Sequence, residues 1–191
     1  MKPTDYIYTA TGLVIDPSNV KHSDIRAEDI AYSLARIFRF NGHTDVSVAM
    51  HSIQVAYLLE LRYGDDDLLY AHAILHDAAE AYLMDVPVPL KKFMNHEWIK
   101  ATCNTNIAIT DHFGVSALYD DEMLRLHQAD KDVVSLEMEA SNNAMIYPLE
   151  CTTGLTKGER DALAGGYMAA SVEEVEKEFL THLQHIKTLK F

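Results

Sequence analysis

The stretch His76-Asp77-Ala78-Ala79-Glu80, inside the apolar run from Leu68 to Leu83, constrains this chain more than any other. It sets an imidazole beside a carboxylate on what reads as a buried helix, with a second carboxylate one turn further on. Buried charges are costly unless they are paired or bind a metal. Between Arg62 and Lys91 there is no lysine or arginine, while Asp65, Asp66, Asp67, Asp77, Glu80 and Asp85 all fall inside that interval. A divalent cation is the simplest counter-charge for a buried His-Asp-Glu set. The segment predicts a metal site.

Two other stretches extend it. Upstream, Ala49-Met50-His51-Ser52-Ile53-Gln54-Val55-Ala56 carries a histidine on a second apolar helix. Downstream, Ala129-Asp130-Lys131-Asp132 opens into Val133-Val134-Ser135-Leu136. A histidine, then His-Asp, then an aspartate, each on its own apolar helix, resembles the HD superfamily of metal-dependent phosphohydrolases. The segment from His76 to Lys91, with Asp85 just before its two prolines, looks like the corresponding part of the bacterial 5'-deoxynucleotidases of that group. Arg39-Phe40-Asn41-Gly42-His43-Thr44 resembles the Arg-aromatic stretch before their first metal histidine. Phage dATP triphosphohydrolases share the pattern. The resemblance covers roughly residues 26 to 140 and rests on short, dispersed motifs.

What the resemblance implies is an all-α, single-domain HD-type bundle with one divalent ion held by His51, His76, Asp77 and Asp130. Two imidazoles and two carboxylates suit Co, Mn, Zn, Fe or Ni better than Mg. Glu80, four positions after His76, would share its helix face and orient or deprotonate the attacking water. Asp85 occupies a position the nucleotidase pattern uses, at a helix end facing a cavity or solvent. Arg39 is the candidate phosphate contact, since a guanidinium pairs bidentately with phosphate oxygens. Phe40 either stacks on a base or plugs the core, and Lys91 either meets phosphate or is a solvated loop lysine. The implied reaction is hydrolysis of a deoxynucleoside 5'-monophosphate to deoxynucleoside and phosphate. The alternatives are a dNTP triphosphohydrolase and a non-catalytic nucleotide-binding sensor. Relatives of this kind often assemble as homo-oligomers, which is the expectation here.

Competing metal readings are weaker. His72 precedes His76 by one turn, but the resemblance uses the His-Asp pair. His96-Glu97 imitates a metalloprotease helix, yet position 100 is a lysine. Asp132 reads as a supporting or surface group, and Glu173, Glu174, Glu176 and Glu178 as a solvated face.

The formal charge of -13 argues against a nucleic-acid polymer as partner, because such binding needs a basic face. A small anionic nucleotide remains compatible if cations converge locally. With 191 residues, 48% of them hydrophobic, the chain can build one sizeable core. No run is long and apolar enough to span a membrane, and the first residues lack a signal-peptide pattern. Cys103 and Cys151 have no metal-type spacing and read as free thiols. The expected compartment is the cytoplasm, or the host's if the source is viral.

Helical periodicity predicts helices over about Ala27–Phe38, Val46–Arg62, the His-Asp run, Asn95–His112, Asp120–Asn143 and Val172–Leu189. Thr4 to Asp16 reads as a strand pair or an extended arm turning at Thr11-Gly12.

Overall fold

A helix that is apolar on nearly every side belongs at the centre of a bundle, and here that helix is α3 (Val48–Tyr63). The computed structural model describes residues 5–140, 154–164 and 170–191. Val48, His51, Ser52, Val55, Leu58 and Leu59 of α3 are all buried. Against it pack α4 (Asp67–Leu75) and α8 (Asp120–Ala140), while α1 (Ala27–Leu34) pairs with α10 (Val172–Ile186), which also touches α3 and α4. The fold is all-α, as expected. Its core joins Leu34, Leu58, Ile74, Val133 and Phe179 in one cluster.

The one sheet among the described residues is a two-stranded ribbon, β1 (Ile7–Tyr8) antiparallel to β2 (Val14–Ile15), with Ile7 opposite Ile15. Thr11 in its turn donates from both its backbone N–H and its hydroxyl to Asp29 of α1, at 2.7 Å each. That clamp makes the segment a strand pair rather than a loose arm.

Local chemistry accounts for several helix boundaries. Ser47 caps α3 by accepting from Met50 N–H, and Asp66 caps α4 by accepting from Leu69 N–H. Asn95 caps α7 (His96–Phe113) in the same way, and Gly114 ends it in the left-handed conformation, at φ 68°. After the short turn α6 (Val88–Lys91), set by Pro87, the chain reaches α7; α9 (Lys157–Ala164) leads toward α10. The last helix ends at Ile186, three residues earlier than its periodicity suggests. Residues 141–153, including Cys151 and the expected extension of α8 to Asn143, lie outside the described residues, as does the Gly165-Gly166 pair. Cys103 is a free, exposed thiol. No described helix is long and apolar enough to cross a membrane.

Two expectations need correction. First, α1 stops at Leu34 and does not reach Phe38. Phe38 is extended and bridges Ser47, while Arg39 N–H donates to Val46 C=O at 2.9 Å and Val48 N–H to Ile37 C=O at 2.9 Å. The residues between form a closed loop that includes the single turn α2 (Arg39–Gly42). Second, the run from Leu68 to Leu83 is not one helix. It breaks after Leu75 into tight turns, with Ala78 N–H on Leu75 C=O and Glu80 N–H on Asp77 C=O, before the single turn α5 (Glu80–Leu83). The His76 ring takes the Ala73 carbonyl at 2.8 Å, the acceptor that a continuing helix would offer to Asp77 N–H.

Candidate metal centre

Three elements converge where the loop before α3, the break after α4 and the middle of α8 meet. His51 stands one turn into α3 and is fully buried. His76 and Asp77 lie in the break, so their adjacency no longer spreads them around a helix; both turn to the same space. Donor atoms of His51, His76 and Asp77 all lie within 4.8 Å of one another, a group that can hold a metal ion. Asp130 of α8 adjoins this trio through His51, with Oδ1 3.1 Å from Nε2.

The hydrogen bonding of the two rings matches what a metal site requires. His76 gives Nδ1 to the Ala73 carbonyl, which leaves Nε2 as the lone-pair nitrogen. That Nε2 is buried and makes no well-aligned hydrogen bond, although Asp77 Oδ2 is 3.2 Å away. An orphaned buried nitrogen between a second imidazole and a carboxylate fits an ion as its missing partner. The rings of His51 and His76 sit 5.3 Å apart and tilted.

Electrostatics points the same way. Burial opposes charging the His76 ring, yet Asp77 and then Asp130 outweigh it and hold its pKa above the ordinary value. Burial likewise opposes ionisation of Asp77, but His76, His51 and Arg39 pull its carboxyl far down. Glu80 has no such support. Burial, then the Asp77 and Asp85 carboxylates, hold its pKa well above the usual range, and its Oε2 is buried without a hydrogen-bond partner. Asp85 is also raised, by burial first, though Arg39 opposes the shift. Carboxylates are concentrated in a low-dielectric place, where His76, His51 and Arg39 are the counter-charges of Asp77.

Arg39 supplies part of the answer from outside the motif. Its Nη1 lies 3.4 Å from Asp77 Oδ2, and its Nε donates to Glu137 Oε2 at 3.0 Å. The motif thus has a counter-charge after all, brought in by the loop before α3. Phe40 and Asn41, next to it, sit in the left-handed region at φ 54° and 57°, and Met84, just before Asp85, has φ 70°. Such conformations cost a non-glycine residue about 1–3 kcal/mol and cluster where side chains must be aimed. Here they flank Arg39 and Asp85.

A cleft of about 740 Å³ opens beside the trio. Its walls include Arg39, Phe40, Asp77, Glu80, Asp85, Lys91 and Asp130, with Val86 to Leu90, Val134 and Met138 as an apolar side. The volume lies within the roughly 300–1,000 Å³ of small-molecule sites. Lys91 Nζ is 4.0 Å from Glu80 Oε1 at the rim of the cleft, with 44% of its side chain exposed. All nine residues singled out from the sequence therefore belong to one neighbourhood.

The other candidates do not. His72 donates to the Ser116 carbonyl at 2.7 Å, away from the trio. Asp132 is buried in an ion pair with Arg62 at 2.7 Å. Glu176 is not a purely solvated residue, since it pairs with Arg36 at 2.6 Å.

One residue of the site escaped the sequence reading. Glu137 is fully buried, with Oε1 2.7 Å from His51 Nδ1 and Oε2 on Arg39. It lies seven positions after Asp130, on the face of α8 that buries Ala129 and Val133. A carboxylate on that otherwise apolar face was the available signal.

No protein-family model matches the chain. An uncharacterised protein of Escherichia coli (strain K12), YfdR, is 35% identical over 91 residues, which are 47% of this chain and 48% of that protein. The chain thus matches about half the length of that relative. An uncharacterised protein of Rhodobacter capsulatus, RCAP_rcc00048, is 31% identical over 157 residues, 80% of this chain and 74% of the relative.

Proposed function

We propose that this chain, which belongs to one family with RCAP_rcc00048 of Rhodobacter capsulatus, is a metal-dependent phosphohydrolase acting on deoxynucleoside 5'-monophosphates. The observation that carries the reading is the orphaned Nε2 of His76, set beside His51 and Asp77 at the head of a cleft that also holds Glu80 and Arg39. His51, His76, Asp77 and Asp130 would hold one divalent transition ion; when bound, that ion supplies Lewis-acid activation of a phosphoryl group.

The chain's own residues do the rest. Arg39 presents a guanidinium to phosphate oxygens from a position already fixed by Glu137. Lys91 adds a second cation from the cleft wall. Water attacks phosphorus while the bond to the 5'-oxygen breaks; Glu80 takes the proton from that water and passes one to the departing oxygen. Its raised pKa suits it to give a proton to the departing oxygen; a cation held beside Asp77 would lower that pKa and free the carboxylate to take the water's proton first. Asp85 holds the sugar side, and the apolar wall with Phe40 receives the base. The heavy surplus of carboxylates around the cleft favours a monophosphate over a triphosphate, since each added phosphate brings further negative charge.

The test is a panel of deoxynucleoside mono- and triphosphates given to metal-stripped protein with added Mn, Co, Zn or Mg. We expect inorganic phosphate from monophosphates with the transition ions, and less with Mg. Release of triphosphate would shift the reading to the triphosphohydrolase. Binding without turnover across the whole panel would make it a sensor.

A further inference from the structure

We propose that Glu137 is a positioning residue that selects the His51 tautomer and aims the Arg39 guanidinium, tying the metal side of the cleft to its phosphate side. The proposal rests on the reading of His51 as a metal ligand. Glu137 spans the two groups with separate oxygens: Oε1 is 2.7 Å from His51 Nδ1 and Oε2 is 3.0 Å from Arg39 Nε. Neither the Glu137 nor the His51 side chain has any solvent exposure, and Arg39 is 12% exposed, so water does not compete well for these contacts.

The ring could place its proton on either nitrogen, because each faces a carboxylate. Asp130 is at 3.1 Å from Nε2 and 35% exposed, whereas Glu137 is closer and fully buried. The shorter contact in the drier place binds the proton better, which assigns Nδ1–H to Glu137 and leaves the Nε2 lone pair, on the Asp130 side, free for an ion. On the other side, a bond at Arg39 Nε fixes the plane of the guanidinium and leaves its terminal nitrogens on the cleft side, where one already reaches Asp77.

Glutamine tests this better than alanine. A carboxylate accepts at both oxygens, while an amide accepts at one atom and donates at the other. Arginine only donates, so the amide oxygen of Glu137→Gln goes to Arg39 and its NH₂ faces His51 Nδ1. The ring must then carry its proton on Nε2, the atom the ion needs. Titration of the metal-stripped full chain with Co²⁺ should show affinity lower by about 10- to 100-fold in E137Q, with a melting temperature close to that of the wild type. A folded E137Q with wild-type Co²⁺ affinity would overturn the proposal. A second measurement stands whether or not the variant folds. In ¹⁵N-histidine NMR of metal-free wild-type protein at alkaline pH, His51 should be protonated on Nδ1; an Nε2–H ring would equally overturn the proposal. If the wild type takes up no Co²⁺ at all, the proposed function fails, while the tautomer of its own His51 still decides the role of Glu137.

Discussion

Helices α3 and α8 carry two charged networks, one around His51 and one around Arg62. Around Arg62 the groups are matched: Nη1 donates to Asp132 at 2.7 Å and Nε to Glu159 at 2.7 Å. Asp132 also accepts from Gln128 and from Gly154 N–H, and Glu159 from Thr156 N–H. Around His51 the groups are not matched. Carboxylates crowd a buried space, and His76 Nε2 and Glu80 Oε2 have no hydrogen-bond partner. The same two helices thus hold one network whose charged groups are paired throughout and one that leaves two buried polar atoms, His76 Nε2 and Glu80 Oε2, over. Satisfied buried charge supports a fold, whereas unsatisfied buried charge marks a place where a ligand supplies the balance.

The largest effect should come from deepening the imbalance. His76→Ala removes the orphaned nitrogen, and we expect loss of both metal uptake and turnover in a protein that still folds; full metal occupancy in this variant, by elemental analysis, would erase the distinction between the networks. Glu80→Ala should separate the roles within the site. Losing a general acid/base costs about 100- to 10,000-fold in rate, and metal content should stay near wild type. If metal and activity fall together, Glu80 is a ligand.

Arg62→Ala probes the matched network. It strands Asp132, whose side chain is only 3% exposed. We expect a loss of about 3 kcal/mol in chemical denaturation, with Co²⁺ affinity of the folded protein unchanged. A changed affinity would mean that the two networks are coupled along α3.

The smallest effect concerns acid. The bonds from Arg62 and Thr156 pull Glu159 down from 4.5 to about 2 in the folded chain. A depressed carboxylate stabilises the fold above its unfolded pKa, and the contribution is lost as pH falls from 4.5 through about 2. The Glu159–Arg62 pair keeps partial contact with solvent, with 14% and 15% of the two side chains exposed, so screening reduces the size. Glu159→Gln should therefore be slightly less stable at neutral pH and show a shallower acid limb in denaturation midpoints. An acid limb as steep as that of the wild type would assign the acid sensitivity to other carboxylates.

Much of the site was legible before any coordinates. Periodic apolar spacing marks α3 and α8 as core helices, and His51, His76-Asp77 and Asp130 stand out because ionisable groups on such faces need a reason to be there. The break at His76 was not legible, since Ala78, Ala79 and their neighbours are good helix formers; the competing bond from the His76 ring to Ala73 appears only when the ring is buried. Glu137 was overlooked for a related reason: beside Asp130 it reads as one more acidic residue on a long helix.

The helical class is written along the chain, and so are the histidines and carboxylates on its apolar faces, because periodicity and residue chemistry are local properties. Tertiary structure alone decided who meets whom. His51 and Glu137 are 86 positions apart, Arg39 and Glu137 98, and Arg62 and Asp132 70. Such pairings depend on how α3, α8 and the loop before α3 pack, and packing follows from the summed burial of the whole core rather than from any one segment.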